Sequence, residues 1–375
     1  MVKIGIFGGT FDPVHNEHIN IAKAALSELK LDKLIIMPTF ISPHKADKKT
    51  VKASDRLAMC RLAFDFDSRI EISDFEIKNE GKSYSYLTVK HFAEVFSGAK
   101  LYFLVGADML FDFKNWKNPD LILQYATLTV ARREKQIKNI KKTADDFYLK
   151  FNKRIKYLKY IGGDISSTKV RRLCSLSQNL SKYVPENVAE YIVANNLYYD
   201  SICEYAKKRL SEKRFIHTLG VVELAVKLSD IYKISEEKAF YAALLHDIGK
   251  GYETEYKITL EEDVPIPVYH QFIGAQIAKT ELNIEDEEII NAIKYHTSGR
   301  VKMSELEKLI FVADMLEDGR SFKGVETLRK YLDKPKLCFE KCLEKQYEFL
   351  VSTKKEIYNL TVKAYNYYCI PKGEN

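Results

Sequence analysis

Little in this sequence marks it for export, for a membrane or for a disulfide framework. Its six cysteines, Cys60, Cys174, Cys203, Cys338, Cys342 and Cys369, are scattered, and none forms the CxxC pair that structural zinc or dithiol redox chemistry needs. They read as reduced thiols. Cys338 and Cys342, four apart in a helical pattern, read as a core pair rather than as two soft metal ligands. The opening MVKIGIFGG passes straight into a strand pattern, without the charged region, apolar region and cleavage site of a secretory signal. No stretch approaches the apolar length that spans a bilayer. There is no internal repeat, no low-complexity tract and no Pro/Gly/Ser-rich linker. These absences predict a cytoplasmic protein without a membrane partner.

What is present is enough chain for two cores. At 375 residues the sequence exceeds what one hydrophobic core usually organises, so two domains are expected. Hydrophobic residues at 46% and charged residues at 30% let burial offset chain entropy, which argues against disorder. Lysine and arginine exceed the acids by seven, a mild surplus that suits polyphosphate substrates as well as nucleic acid. The basic stretch from Arg133 to Lys159 reads as a solvated helix face, so no nucleic-acid partner is expected.

The first half alternates strand-like and helical patterns. VKIGIF is followed by a helix from about Asn16 to Lys30, KLIIMP by a helix from about Ser54, and further strand-like runs fall at Ile70–Ile77, Lys100–Val105, Thr127–Ala131 and Tyr157–Ile161. This predicts a doubly wound α/β domain with a parallel sheet, its chemistry in the loops after Phe7, Met37, Val105 and Ile161. After Asn196 the periodicity is helical to the end, predicting an all-α domain. The expected division is 1–198 and 199–375, the boundary falling near Leu197 to Ser201.

Two segments of the first half carry phosphate chemistry. In GIFGGTFDPVHNEH, Gly8, Gly9 and Thr10 are expected to turn tightly so that backbone amides can approach a phosphate. His15 and His18, three apart at the start of a helix, put two imidazoles on one side at the positive end of its dipole. That pair can stabilise charge on a transferring nucleotidyl group. In GGDISSTKVRR, Ser166, Ser167 and Thr168 open a helix with Lys169 and Arg171 just inside it.

With these motifs, Met1 to about Asn196 resembles the bacterial nicotinate-nucleotide adenylyltransferase family, which has GGTFDPxHxGH and ISSTxxR. The resemblance implies a Rossmann-like nucleotidyltransferase that binds ATP, with Mg²⁺, at Gly8, Gly9, Thr10, Phe11, His15, His18, Gly106, Asp108, Ser166, Ser167, Thr168 and Arg171. His15, His18 and Arg171 would be catalytic. It implies nicotinate mononucleotide at Lys45, Ser83, Tyr84, Ser85, Asp108, Trp116 and Arg132, the one tryptophan offering an indole face to the nicotinate ring. Phosphopantetheine and glycerol-phosphate nucleotidyltransferases use similar histidine turns, which keeps the acceptor open. One departure is visible: the glycine between the family's two histidines is Glu17, expected to turn outward and favour the helix dipole.

The second half contains His217, His246, Asp247, His270, His296 and Asp314, in the order H…HD…H…H…D, and four of the eight histidines belong to this series. Imidazoles and carboxylates without thiolates suit iron, manganese or other borderline divalent ions, and one carboxylate can bridge two of them. From about Ile202 to Leu360 the chain resembles the HD-domain symmetrical bis(5'-nucleosyl)-tetraphosphatases through RFIHTLGV, HDIGKG, YHTSG and ADMLEDGR. That resemblance implies one metal on His217, His246, Asp247 and Asp314, and a second on His270, His296 and the bridging Asp247. It also implies hydrolysis of diadenosine tetraphosphate to two ADP, with Asp247 and Lys250 catalytic. Arg214, Lys250 and Arg320 are expected to neutralise the polyphosphate, each having a plain reading as a surface cation. Two alternatives stay open for this half, a nucleotide sensor without turnover and a hydrolase of another phosphate ester. Self-association is also open.

Overall fold

Strands that are apolar at almost every position can be buried on both faces, and the first part of the molecule is built from them. The computed structural model describes residues 1–41, 50–133, 137–256, 258, 264–354 and 356–370, and the chain divides into two units, Met1–Tyr199 and Asp200–Asn375. In the first unit β1 (Lys3–Gly9), β2 (Lys33–Pro38), β3 (Ile70–Ile72), β4 (Lys100–Gly106), β5 (Ala126–Arg133) and β6 (Lys156–Gly162) form one parallel sheet in the order β3-β2-β1-β4-β5-β6. The helices around it are α1 (Asn16–Glu28), α2 (Ala53–Ala63), α3 (Phe75–Lys78), α4 (Ser85–Val95), α5 (Ala107–Asp112), α6 (Pro119–Tyr125), α7 (Ile137–Phe151), α8 (Ser167–Ser175) and α9 (Glu186–Ala194).

Successive strand residues feed opposite cores. Leu34 and Ile36 join Phe7 and Leu104 on one face of the sheet, while Ile35 and Met37 join Ile4, Ile6 and Phe103 on the other. Each fully buried side chain of this size stabilises the fold by roughly 1.5–3 kcal/mol relative to exposure. The strand order reverses between β1 and β4, the position at which open α/β sheets take ligands at the carboxyl ends of their strands.

Two local expectations are corrected. The run Ile70–Ile77 is a strand only to Ile72: the Ser73 hydroxyl accepts the Phe75 amide and the chain then turns into α3. Gly8 and Gly9 are not the turn, because both remain in β1 beside Met37 and Pro38. The reversal falls at Thr10–Pro13, where Phe11 has φ 48° and the Asp12–Pro13 peptide is cis.

The second unit is helical throughout its described residues. Its elements are α10 (Ser201–Arg209), α11 (Glu212–Tyr232), α12 (Glu236–Leu245), α13 (Ile266–Thr280), α14 (Glu287–Tyr295), α15 (Glu305–Leu316), α16 (Val325–Arg329), α17 (Pro335–Ser352) and α18 (Asn359–Tyr368). Side-chain caps start four of them: Asp200 takes the Ile202 and Cys203 amides, and Ser235, Asp286 and Ser304 cap α12, α14 and α15. The long α11 packs against α12 and α15. Cys338 and Cys342 are buried together in α17 as core residues. No described helix is long and apolar enough to cross a membrane.

Candidate functional site

At the carboxyl end of β1 the two phosphate motifs are sewn together. His15 is the N-cap of α1 and its ring stacks on His18 with centroids 3.7 Å apart and planes 21° from parallel. The His15 amide donates to His18 Nδ1 at 3.2 Å, which leaves the proton of a neutral His18 on Nε2. Across from them Ser166 caps α8 by accepting the Lys169 amide. The Ser167 hydroxyl donates to the Pro13 carbonyl at 3.0 Å, and Arg171 donates to the Asp12 carbonyl at 2.6 Å and to the Thr168 hydroxyl at 3.2 Å. Amides, hydroxyls, imidazoles and a guanidinium therefore converge on one crevice, an arrangement suited to a polyphosphate.

Some residues sit differently from expectation. The Phe11 ring is buried against Phe7, His18 and Phe64, so only its backbone faces the crevice. Glu17 does not turn outward. It is buried and accepts the Tyr160 hydroxyl at 2.8 Å and the Gly163 amide at 3.1 Å. Arg56, 1% exposed, escaped the sequence reading: it donates to the carbonyls of Thr10, Phe40 and Val51 and so braces the turn after β1 from beneath. Its segment looks like any amphipathic helix, and nothing in it announces carbonyl partners in three loops.

On the neighbouring side, Ser83 accepts the Phe40 amide at 2.9 Å, and Ser85 begins α4 with Tyr84 as its N-cap. Lys117 lies 4.3 Å over the Tyr84 ring, which brings that segment beside Trp116. Trp116 is half-buried against Phe103 and Phe113. Gly106 and Asp108 open α5, with Asp108 exposed. Arg132 is drawn away from this group, its guanidinium donating to the Leu158 and Lys159 carbonyls. Lys45 lies outside the described residues.

In the second unit five helices deliver the H…HD…H…H…D series to one point. His217 lies in α11, His246 and Asp247 at the end of α12, His270 in α13, His296 at the end of α14 and Asp314 in α15. Three overlapping groups, His217/His246/Asp247, His246/His296/Asp314 and Asp247/His270/His296, each have ligand atoms within 4.8 Å of one another. Asp247 divides its oxygens: Oδ1 lies 3.3 Å from His270 Nε2 and 3.6 Å from His296 Nε2, while Oδ2 lies 3.7 Å from His246 Nε2. His246 and His296 donate Nδ1–H to the Ala243 and Ile293 carbonyls, which turns each Nε2 lone pair inward. Arg214 pairs with Asp247 and Arg320 with Asp314, and Lys250 Nζ lies 3.3 Å from His270 Nδ1. Lys250 is not on α12, which ends at Leu245, but in the turn that follows. A Cβ on Gly249 in that turn would come within 2.4 Å of the His270 carbonyl, so only glycine lets the turn approach α13 this closely.

Both halves match known families. A cytidylyltransferase-like family model covers residues 6–173 and an HD-domain model residues 214–319. A protein of Mycoplasma genitalium named as a probable nicotinate-nucleotide adenylyltransferase/Ap4A hydrolase is 33% identical over 325 residues, spanning 85% of this chain and 88% of the relative. The chain belongs to that nicotinate-nucleotide adenylyltransferase/Ap4A hydrolase family. A probable nicotinate-nucleotide adenylyltransferase of Clostridium novyi is 40% identical over 199 residues, covering 53% of this chain and all of the relative. A solved HD superfamily hydrolase from Clostridium acetobutylicum, described as involved in NAD metabolism, is 36% identical, with a TM-score of 0.41 over 45% of this chain and 95% of that one.

In this adenylyltransferase/hydrolase chain the second site disfavours protonation of two of its imidazoles, His246 and His270. Burial pushes His246 and His270 down to about 4. For His217 burial acts the same way, but Asp314 and Glu317 overcome it and raise the group above its ordinary value. Asp247 and Asp314 are driven upward by burial and, more strongly, downward by the facing histidines, with a net lowering. A pH dependence follows. The unfolded chain takes up protons on two histidines near pH 6.5 while the folded unit refuses them until about pH 4. Stability of the metal-free second unit should therefore fall with pH across that window, by about 1.4 kcal/mol per pH unit per histidine. His217 contributes its stabilisation fully below pH 6.5 and loses it as pH rises, so it does not oppose the fall. Urea midpoints in chelator between pH 7 and 4.5 measure this, and a flat profile refutes it.

Proposed function

We propose that the first unit transfers AMP from ATP to nicotinate mononucleotide, releasing pyrophosphate and nicotinate adenine dinucleotide, and that the second hydrolyses diadenosine tetraphosphate to two ADP, both in the cytoplasm. The observation that carries the first activity is the joining of the HxxH and ISST segments by Ser167–Pro13 and Arg171–Asp12 bonds at the sheet's switch point. His18 Nε2–H and the Arg171 guanidinium meet the charge that develops on the α-phosphate, and the amides at the start of α8 hold the remaining phosphate oxygens. Mg²⁺ accompanies the triphosphate. Ser83, Tyr84 and Trp116 receive the pyridine nucleotide.

For the second activity the residues fit a pair of divalent ions. His246 Nε2 is buried without a hydrogen-bond partner and faces Asp247 and Asp314 at 3.7 and 3.8 Å, an orphaned lone pair that a cation satisfies. His217, His246, Asp247 and Asp314 would hold one ion, and His270, His296 and Asp247 the other, iron or manganese by ligand type. Such ions supply an acidified water and neutralise phosphate charge. Asp247 would be the ligand common to the two ions. Arg214 and Arg320, one-third and two-fifths exposed, lie where a polyphosphate arrives from solvent, and Lys250 lines the inner wall.

Glu317 belongs to this site although the sequence reading passed over it inside ADMLEDGR. It accepts His217 Nδ1–H at 3.0 Å and the Gly319 amide at 2.5 Å, so it fixes the ring with Nε2 toward Asp314. Glu317→Gln leaves one carbonyl oxygen for two donors. It should weaken Mn²⁺ binding by roughly 10- to 100-fold in a chelator competition, and unaltered affinity would deny Glu317 that role.

The decisive test gives the purified full-length protein ATP, Mg²⁺ and nicotinate mononucleotide in one reaction, and diadenosine tetraphosphate with Fe²⁺ or Mn²⁺ in another, with products resolved by chromatography. Dinucleotide and ADP are the expected products. Dinucleotide without ADP would make the helical unit a sensor or a hydrolase of another ester, and ADP without dinucleotide would overturn the acceptor.

A further inference from the structure

The carboxylate of Glu17 is placed to do more than fill space. Its Oε2 receives two donors, the Tyr160 hydroxyl from the end of β6 at 2.8 Å and the Gly163 amide from the connection to α8 at 3.1 Å. Its Oε1 lies 3.5 Å from Asn20 Nδ2 on α1's own next turn. The connecting backbone is pressed against it: a Cβ on Gly162 would lie 2.8 Å from Oε2, and one on Gly163 would lie 3.3 Å from Oε1. The residue is 7% exposed, so these bonds are shielded from competing water.

We propose that Glu17 is a positioning residue for nucleotide binding. It pins the turn that leads into Ser166 to the first turn of α1, and so sets the gap across which His18 and Arg171 face ATP. Two other ties cross the same gap, Ser167 to the Pro13 carbonyl and Arg171 to the Asp12 carbonyl. Both are made by groups that a phosphate would recruit: the Ser167 hydroxyl has a single proton to give, and the Arg171 guanidinium would divide its donors between the carbonyl and the phosphate. Glu28 ties the far end of α1 to β6 through the Lys159 and Tyr160 amides, and Glu17 makes the tie nearest the histidines through Tyr160 and Gly163, neither of them a phosphate-facing group. It holds the start of α1 in register with the chain leading to Ser166 while phosphate competes for the other two bonds. A carboxylate serves here because both donors converge on one oxygen, which accepts more strongly when charged.

The kinetic arm of the test rests on the transferase reading, and the exchange arm does not. In full-length protein, Glu17→Ala should raise KM for ATP about tenfold with KM for nicotinate mononucleotide unchanged, the loss expected for hydrogen bonds to a charged acceptor. Without nucleotides, amide exchange in the 160–166 peptide should quicken by a similar factor. Glu17→Gln, which keeps one accepting oxygen but not its charge, should fall between the parent and Glu17→Ala in both. Gly162→Ala pushes the carboxylate off its donors and should reproduce Glu17→Ala, and the double variant should be no worse than either. Parent-like exchange and KM in Glu17→Ala, additive effects in the double variant, or Gln as damaging as Ala with both KM values raised would each overturn the proposal. If the parent makes no dinucleotide, the transferase reading fails, and peptide exchange alone decides whether Glu17 pins the turn.

Discussion

Asp247→Asn is expected to remove diadenosine tetraphosphatase activity by about three orders of magnitude or more, while dinucleotide synthesis stays at the parent level. Asp247 faces His246 with one oxygen and His270 and His296 with the other, so in the proposed mechanism it is the carboxylate that the two ions would share. Asparagine presents a single carbonyl oxygen. Its amide N–H₂ must point either at the inward Nε2 lone pair of His296 or at the guanidinium of Arg214, and it can ligate an ion in neither direction. Losing a shared anionic ligand costs several kcal/mol of charge stabilisation, which translates into about a thousandfold in rate. ADP release followed by chromatography, with bound metal counted by atomic emission, checks both parts. Parent-like hydrolysis would remove Asp247 from the chemistry.

His18→Ala is expected to produce the reverse pattern, with kcat for adenylyl transfer lowered about 10²- to 10³-fold and hydrolysis untouched, as when one donor to a developing oxyanion is lost. His18 has two separable duties. Its Nδ1 accepts the His15 amide and closes the start of α1, and in the proposed reaction its Nε2–H is the group turned to phosphate. His18→Asn retains a short acceptor for the His15 amide without restoring the imidazole donor. A variant that recovers thermal stability but not kcat assigns the loss to the donor. If asparagine restores the rate as well, His18 is a helix cap and no more.

Much of this molecule was legible before any coordinates. KLIIMP and the neighbouring apolar runs place a side chain in each of two cores at every step, which is why alternating β and α patterns gave a parallel sheet with the site at the ends of β1 and β4. The histidine series was legible because its spacing is unusual for core residues. What the sequence hid was partnership. Glu17 and Glu317 are carboxylates whose donors lie 143–146 and 100 residues away, at the end of β6 and in α11, and no local pattern pairs them. Arg56 binds backbone carbonyls, which every residue has and which no side-chain motif can signal. The turn after β1 was misplaced by two residues because Gly8 and Gly9 look like turn residues, yet they continue the strand beside Met37 and Pro38.

Asp12 shows where the first unit ends in practical terms. Its Oδ1 accepts the Tyr198 hydroxyl at 2.9 Å and lies 3.4 Å from the Val51 amide, while its backbone carbonyl holds Arg171. Burial, and after it the Asp12 carboxylate, keep the Tyr198 phenol protonated far into the alkaline range, so this bond persists at any working pH. The last regular element of this unit, α9, finishes at Ala194, but the chain is still contributing a bond to the turn after β1 four residues later. A fragment cut at the end of that helix would fold its sheet and yet arrive with the anchor of its arginine loosened, whereas one carried through Tyr199 takes the whole site with it.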